Sequence, residues 1–325
     1  MKNLTIRKYQ TTDYSQWNAF VAAAKNATFL FHRDFMEYHS DRFDDFSLII
    51  ESDGKWLAVL PANRIGTTVF SHQGLTYGGL LISEKVKSAT QLQIFQELLK
   101  YLHKLEMTTL KIKSLPTIYA KYFSDELNYL LFLVHAQLTR RDALAVIDLR
   151  MPLSLSKDRR EGIKRGEKNR LEVREEHDFE LFWNAILIPN LEQKHQAKPV
   201  HSLEEIRFLK TKFPLNIRQF NVYYQNTIVA GTTIFETDTV AHSQYISGNE
   251  MKNDLGSLDF LHNHLLTKVF HQKKYFDFGI SNENEGRNVN QGLSYWKESF
   301  GSHTVTQDFY EVDTKNYTLL NSVLI

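Results

Sequence analysis

A polar loop that follows a short aromatic strand contains the residue types best suited to bind a ligand. Residues 277–301 read DFGISNENEGRNVNQGLSYWKESFG. A strand predicted over Tyr275–Ile280 ends in this loop, and a helix predicted over Asn288–Phe300 follows it. Polar residues crowded at the end of a buried strand usually serve a ligand, so we expect a binding site here. The candidate side chains are Asp277, Ser281, Asn284, Asn290 and Lys297.

Two histidines and a tyrosine in the second half of the chain could transfer protons. His242 and Tyr245 lie on a strand predicted over Val240–Ser247, and His201 lies in the loop before the central strands. Strict alternation along a strand would place His242 and Gln244 on one face and Tyr245 on the other. Histidine titrates near neutral pH, which suits a general acid or base. A lone histidine in a strand is more often structural, so both interpretations stay open.

A basic helix is predicted over Lys157–Arg170, with seven basic and three acidic residues. Arg160 and Lys164 share one face because they lie four positions apart. The basic face of such a helix is either exposed to solvent or binds the phosphate groups of an anionic substrate. Arg160 and Lys164 are therefore candidate substrate-binding residues.

The predicted elements occur in the same order twice. Hairpin turns are expected at Asp53-Gly54 and Gln225-Asn226, and Gly54 and Asn226 lie 172 positions apart. Each turn belongs to a run of helix, antiparallel strands, helix, strand and helix. Among the expected strands are one near Tyr129–His135 and one at Ile217–Tyr224. We expect a mixed α/β protein with two domains, residues 1–150 and 151–325, joined through Met151–Ser156 and the basic helix 157–170.

The composition excludes several classes of protein. The 325 residues include no cysteine, and the formal net charge is +1, so neither a thiolate metal site nor a DNA partner is expected. His262 and His264 lie two positions apart on a predicted helix and form a poor metal pair, so we expect no metal. No apolar run approaches the length of a membrane span, and a cytoplasmic protein is expected.

Several segments resemble the FemABX/CelD-like branch of the GNAT acyltransferases. The closing segment has the order DFGIS, Asn, Gly, Lys and FG of that branch, and the basic helix and residues 71–79 are similar as well. The resemblance implies two tandem GNAT-like domains, with the donor site in the second. It also implies transfer of an acyl group from a thioester, with acyl-CoA as a co-substrate and without a permanent cofactor. The acceptor would be an amine on an amino sugar or a cell-envelope precursor.

The resemblance also implies roles for individual residues. The turn before a predicted helix at Ser257 matches the place where GNAT enzymes bind the pyrophosphate of coenzyme A, and of that signature only the central glycine is present. His242 or Asp277 would act as base or relay, and Tyr245 would protonate the leaving group. The donor would be held by the turn residues and the closing helix: Asn253, Gly256, Ser257, Asn290 and Lys297.

Two alternatives remain beside the acyl-CoA-dependent enzyme. A FemX-like aminoacyl transferase would use aminoacyl-tRNA. It is favoured by the basic helix of residues 157–170 and by the incomplete phosphate-binding turn, and it is weakened by the near-neutral net charge of the chain. A GNAT-fold binding protein without catalytic activity is the other alternative.

Overall fold

The computed structural model describes residues 3–324, with the backbone alone for residues 194 and 195. The chain forms two compact units. The first unit ends at Asp142 and resumes at Thr306, and the second unit is Ala143–Val305. These bounds differ from the expected division at residues 150 and 151, because the strand that begins at His303 pairs with Thr109–Lys113 and so returns to the first unit.

The first unit begins with a short strand and contains both small and long helices. Its helices are α1 (Tyr14–Ala23), α2 (Arg33–Met36), α3 (Ser88–Lys104) and α4 (Glu126–Leu133). Its strands are β1 (Thr5–Lys8), β2 (Asp44–Asp45), β3 (Leu48–Ser52), β4 (Lys55–Leu60), β5 (Asn63–Ile65), β6 (Thr68–Phe70), β7 (Leu81–Ile82) and β8 (Thr109–Lys113). Strand β9 (Gln137–Asp148) leads from this unit into the second.

The second unit alternates strands with short helices. Its helices are α5 (Lys157–Lys168), α6 (Glu180–Phe182), α7 (Ile188–His195), α8 (Leu203–Lys212), α9 (Lys252–Leu255), α10 (Ser257–His264) and α11 (Gln291–Glu298). A π-helical turn at Trp183–Leu187 joins α6 to α7, and another at Leu265–Val269 extends α10. Its strands are β10 (Glu172–Glu176), β11 (Ile217–Tyr224), β12 (Thr227–Glu236), β13 (Val240–Gly248), β14 (Tyr275–Ile280), β15 (Asn282–Glu283) and β16 (Asn288–Val289). Strand β17 (His303–Asp313) leads from this unit back into the first.

Two groups of strands build the first unit. One has the order β1-β3-β4-β7, and the other has the order β17-β8-β6-β5-β2. The β3–β4 hairpin turns at Asp53-Gly54, as expected, and both residues have positive φ values of 51° and 71°. Helix α3 buries Phe95, Leu98 and Leu99 in the core.

One expected strand of the first unit is a helix. Residues 129–135 form an apolar run that fits a strand, but α4 covers most of it. Leu130, Leu131 and Val134 are buried while Tyr129 and Phe132 are exposed, which is helical spacing. A short apolar run does not distinguish a helix from a buried strand, so the strand prediction was wrong here.

The sheet of the second unit has the order β10-β11-β12-β13-β14-β9, and it is antiparallel except between β13 and β14. One face is apolar: Phe220, Ile234 and Phe276 pack there in one core with Leu261 and Leu265. The opposite face is covered by the helix that contains α6 and α7, and it carries buried polar side chains. Among them Thr233 donates to Gln219 over 2.7 Å, and Gln219 donates to Asn221 over 2.8 Å.

Strands β13 and β14 separate after three pairs of residues. They pair from Val240 with Tyr275 to His242 with Asp277, and no later pair joins them in the described structure. Beyond this point β13 continues along β12, whereas β14 continues along β9. We call this separation the fork. It lies at the carboxyl ends of two parallel strands, where ligands commonly bind.

The equivalent place in the first unit is closed. Strands β6 and β8 are also parallel, from Thr68–Phe70 with Thr109–Lys111. Past that pairing, the Ser71 N–H donates to the Lys111 carbonyl over 2.8 Å, and the Gly78 N–H donates to the Lys113 carbonyl over 2.6 Å. The backbone after β6 therefore stays bonded to β8, and no gap opens between them.

In the described residues we find no helix with both the length and the apolar character that crossing a membrane requires.

Candidate functional site

The largest of the described cavities is a cleft of about 770 Å³ in the second unit. Strand β13 contributes to it the residues that follow the fork, and helices α5, α7, α9, α10 and α11 form the remaining walls. Its lining includes Asp158, Arg159, Glu161, Arg165, Asn190, Ser247, Gly248, Lys252, Asn253, Leu258, Asp259 and Trp296. The cleft lies in the half of the chain for which the sequence predicted the donor site, and the identity of any donor stays a prediction.

Three glycines let α5 lie directly against α10. An added Cβ on Gly162 would stand 1.8 Å from the Asp259 Oδ2, and one on Gly166 would stand 2.6 Å from the Phe260 Cβ. At Gly256, with φ of 67°, an added Cβ would meet the Gly162 carbonyl at 2.1 Å. Helix α5 thus covers the first turn of α10, which is the turn that the sequence predicted to bind pyrophosphate.

An ion pair anchors the wall between α5 and α10. The Arg159 Nη1 lies 2.5 Å from the Asp259 Oδ1, which also accepts a hydrogen bond from the Trp296 Nε1 over 3.1 Å. Burial raises the pKa of Asp259, while Arg159 and Trp296 act in the opposite direction. The Arg159 Nε is buried and has no hydrogen-bond partner among the described residues. Arg159 is therefore a fixed part of the cleft wall.

The other charged groups of the cleft balance one another. The Tyr295 hydroxyl donates to Asp158 over 2.8 Å, and the Arg165 Nε donates to the Asn253 carbonyl over 3.2 Å. With Glu161 and Lys252, the described lining has three acidic and three basic side chains. A cleft without net charge does not attract a polyphosphate by electrostatics alone.

His242 and Asp277 form a hydrogen-bonded pair at the fork. The His242 Nδ1 lies 3.1 Å from the Asp277 Oδ2, and the Asp277 Oδ1 accepts from the Gly279 N–H over 2.6 Å. Asp277 is 1% exposed, so its carboxylate is held in place. A carboxylate beside Nδ1 favours the proton on that atom and leaves Nε2 as a proton acceptor. The pair can therefore take up a proton from a substrate.

Lys297 is buried and joins α11 to the end of β14. Its Nζ donates to the carbonyls of Gly279 and Ile280 over 3.1 and 2.6 Å. Burial lowers the pKa of Lys297 to about 8, and Asp277 acts in the opposite direction. An added Cβ on Gly279 would lie 3.3 Å from the His242 Cε1. His242, Asp277 and Lys297 are thus gathered around Gly279, although none of them is among the residues that line the cleft.

His201 and Tyr245 form a second buried pair. The His201 Nδ1 and the Tyr245 hydroxyl are hydrogen-bonded over 2.7 Å, and the His201 N–H also donates to that hydroxyl over 3.3 Å. The Tyr245 ring packs edge-on against Trp183, with centroids 5.1 Å apart. Trp183 belongs to the π-helical turn, a feature that often marks functional sites.

A β-bulge changes the face on which Tyr245 lies. Ser243 pairs with Ile234 and Tyr245 pairs with Thr233, so Gln244 is the extra residue of β13. Because one residue is inserted, Tyr245 lies on the same face as His242. The expectation that these two side chains lie on opposite faces was wrong, since strict alternation holds only for a regular strand.

The remaining expected donor residues have varied surroundings. Asn253 lines the cleft, and Gly256 is packed against α5. Ser257 is 0% exposed, and its Oγ lacks a hydrogen-bond partner in the described structure. Asn290 caps α11 by accepting from the Leu293 N–H over 3.1 Å.

The expected substrate residues lie outside the cleft lining. Arg160 and Lys164 are exposed, and Arg160 donates to the Leu155 carbonyl over 2.6 Å. Asn284 donates to Asn288 over 3.0 Å in the β15–β16 hairpin. Ser281 is buried, and its Oγ has no partner among the residues described. No group of three or more histidine, aspartate or glutamate residues in the described chain could hold a metal ion.

Sequence reasoning missed several residues that line the cleft. Arg159 and Asp259 form its ion pair, and Asn190 donates to the Ser247 Oγ and the Gly248 carbonyl, both over 2.8 Å. A signal for the first two was present, because glycines four positions apart on a helix, as in 162 and 166, permit close helix contact. Nothing in the sequence pointed to Asn190.

Solved structures with the same fold are known, although the sequences differ greatly. No protein-family model matches this sequence, and no curated protein matches it. FemX aligns with a TM-score of 0.65 and 10% identity over 98% of this chain and 99% of its own. L-PGS from Bacillus licheniformis aligns with a TM-score of 0.56 and 12% identity, over 85% and 86% of the two chains.

A third similar structure is the tandem GNAT protein from the clavulanic acid biosynthesis pathway. It aligns with a TM-score of 0.51 and 13% identity, over 96% of this chain and 99% of its own. The expected fold class is therefore confirmed. The chain has the mixed α/β fold of FemX and of tandem GNAT proteins.

Proposed function

We propose that the second unit transfers an acyl group from an activated donor to an amine, as on an amino sugar or a cell-envelope precursor. The observation that carries this proposal is the fork. Strands β13 and β14 separate immediately after His242 and Asp277, and β13 then lines the cleft at Ile246, Ser247 and Gly248. A proton-accepting pair thus lies on the strand that continues into the wall of a cleft of about 770 Å³, a volume suited to a small-molecule ligand.

In the proposed acyl transfer, each polar group near the fork has a role. The amine nitrogen attacks the donor carbonyl, a C–N bond forms, and the bond from carbon to the leaving oxygen or sulfur breaks. His242 accepts the proton that the amine loses, and Asp277 stabilises the resulting imidazolium. Tyr245, on the same face as His242, returns a proton to the leaving group. The N–H groups of β13 beyond the fork are donors for the oxyanion that forms on the carbonyl.

We propose an aminoacyl ester donor, as in aminoacyl-tRNA, in preference to acyl-CoA. A helix N-terminus binds pyrophosphate only when its N–H groups are accessible. Helix α5 packs on Gly256, and Leu258 and the balanced charges of the lining add no anion site. In addition, Asp158 and Glu161 could accept hydrogen bonds from the amino group of an aminoacyl donor. Acyl-CoA is the second candidate, since a cleft of about 770 Å³ could hold its acyl arm.

A transfer assay separates the two donors. The protein is incubated with either radiolabelled aminoacyl-tRNA or radiolabelled acetyl-CoA, and glucosamine or a cell-envelope precursor serves as acceptor. We expect label to move from aminoacyl-tRNA to the amine, and His242→Ala to slow this transfer. Transfer from acetyl-CoA alone would replace the donor assignment. Tight binding of a donor without transfer to any amine would favour the binding protein without catalytic activity.

A further inference from the structure

The first unit contains a cavity of its own, with a volume of about 280 Å³. It lies where β6 ends beside β8, and β9 and β17 complete its wall. Lys111, Lys113 and Arg140 line it, and none of the described lining residues is acidic. The cavity therefore differs from the cleft of the second unit, in which acidic and basic side chains are equal in number.

The three cations differ in how far their charge is neutralised. Arg140 makes two hydrogen bonds to Asp142, over 2.9 and 2.7 Å, and Lys111 lies 3.1 Å from Glu311. Neither carboxylate lines the cavity. Lys113 instead donates to the neutral carbonyl of Leu75 over 2.7 Å, and it forms no ion pair among the described residues. Its charge is the least compensated of the three.

Lys113 remains mostly protonated at neutral pH. Burial and the charge of Arg140 lower the pKa of Lys113 to about 8, and Asp142 acts in the opposite direction. A half-buried ammonium without an ion-pair partner is unfavourable, and an anion placed beside it would offset that cost. The arrangement is therefore complementary to a negative charge.

His72 also lines the cavity, with a left-handed backbone and an uncharged side chain. It has a φ of 65°, in the left-handed region, and it is 4% exposed. Burial and the neighbouring His39, whose ring centroid is 5.3 Å away, lower the pKa of His72 to about 3. Its Nδ1 is buried without a hydrogen-bond partner in the described part of the chain. Left-handed backbone at a residue other than glycine is concentrated at binding sites.

We infer that this cavity binds a small oxyanion, the phosphate or carboxylate group of a small molecule. The ammonium of Lys113 and the guanidinium of Arg140, which lies 4.5 Å from the centre of the Phe309 ring, would form charge-assisted hydrogen bonds to it. In the first unit β6 and β8 do not separate as β13 and β14 do at the fork. We therefore assign the cavity binding and not a second reaction. The inference does not depend on the activity proposed for the second unit.

Titration with sulfate and with acetate tests the inference and separates the two sources, because sulfate has the shape of a phosphate group and acetate is a carboxylate. Backbone amide resonances of Ser71, His72 and Gln73 are followed by NMR in the full chain. We expect saturable shifts with at least one of the two anions. We also expect Lys113→Met to weaken binding at least about tenfold, as loss of a charge-assisted hydrogen bond should.

Two further variants keep the test decisive. Lys85→Gln removes one exposed positive charge elsewhere in the first unit and should leave binding unchanged. Lys111→Gln changes a partly exposed cation of the cavity and should weaken binding about twofold to threefold, even if Lys113→Met does not fold. No saturable shift with either anion, or equal weakening by Lys85→Gln and Lys111→Gln, would overturn the inference.

Discussion

The Nδ1 of His242 lies 3.1 Å from the Oδ2 of Asp277, and these two residues are the last that pair between β13 and β14. Their backbones are therefore fixed by the sheet, while the space beyond them is not filled by strand pairing. A rigidly positioned histidine–carboxylate pair is what the proton transfer of the proposed reaction requires.

Replacement of Asp277 by asparagine should impair turnover more than folding. The amide oxygen of the new side chain can still accept the hydrogen bond from the Gly279 N–H, but the negative charge beside His242 is lost. We expect kcat to fall on the order of a hundredfold with little change in KM. Asp254→Asn, at an exposed position of α9, is the matched control. Unchanged kcat in Asp277→Asn would remove the pair from the mechanism.

Lys297 should make stability depend on pH in the alkaline range. Its pKa is about 8 in the folded protein, below its usual value of 10.5. Between these two values the unfolded chain binds more protons, so stability rises with pH through that window. Relative to Lys297→Met, the wild-type protein should gain at most about 3 kcal/mol from pH 8 to 10.5. Urea unfolding at several pH values measures the difference.

The comparison with Lys297→Met cancels the titration of all other groups that are unchanged in the variant. Parallel curves of unfolding free energy against pH for the two proteins would contradict a lowered pKa for Lys297. Donor binding by the same variant, measured separately, tests whether the ammonium also contacts the donor, as the sequence predicted.

Gly162→Ala should strongly destabilise the second unit. The new methyl group would lie 1.8 Å from the Asp259 Oδ2 and would force α5 away from α10. We expect a loss of about 2 kcal/mol or more in the free energy of unfolding, as overpacking typically costs. Gly292→Ala is the control, since its added Cβ would meet only the Asn290 Oδ1, at 3.9 Å. That change in helix α11 should be neutral or slightly stabilising.

Tyr245→Phe separates a structural role of the hydroxyl from a catalytic one. The hydroxyl is hydrogen-bonded to the His201 Nδ1 over 2.7 Å, and its removal should cost about 1 kcal/mol of stability. If the phenol also protonates the leaving group, kcat should fall and an activated donor with a better leaving group should restore it. A loss of stability with normal kcat would make Tyr245 a structural partner of His201 only.

The order of elements in the second unit could be predicted from the sequence because hydrophobic periodicity and turn residues indicate the same elements there. Alternating and apolar runs predicted β11, β13 and β14 within a residue of their bounds. The turn at Gln225-Asn226 was also recognised, and both residues have positive φ. In the first unit, residues 129–135 carried an apolar run that suits either a strand or a helix, and packing decided for the helix.

The candidate site was harder to predict because it depends on contacts between distant segments. The sequence offered His242 and Asp277 as alternatives for the base, and it did not predict the hydrogen bond between them. The bulge at Gln244 has no local signature, and the glycines at 162 and 166 indicate close helix packing without identifying the partner helix. The unfavourable surroundings of Asp259 follow from that packing and so were not visible either.

The open fork of the second unit has a consequence for how stability and function are balanced in this chain. A strand pair that continues, as after β6 in the first unit, gains about 1 kcal/mol for each additional backbone hydrogen bond. Strand β13 forgoes such bonds with β14 beyond His242. Selection for robustness alone would therefore tend to close the fork, and variants chosen only for a higher melting temperature are expected to lose access to the cleft.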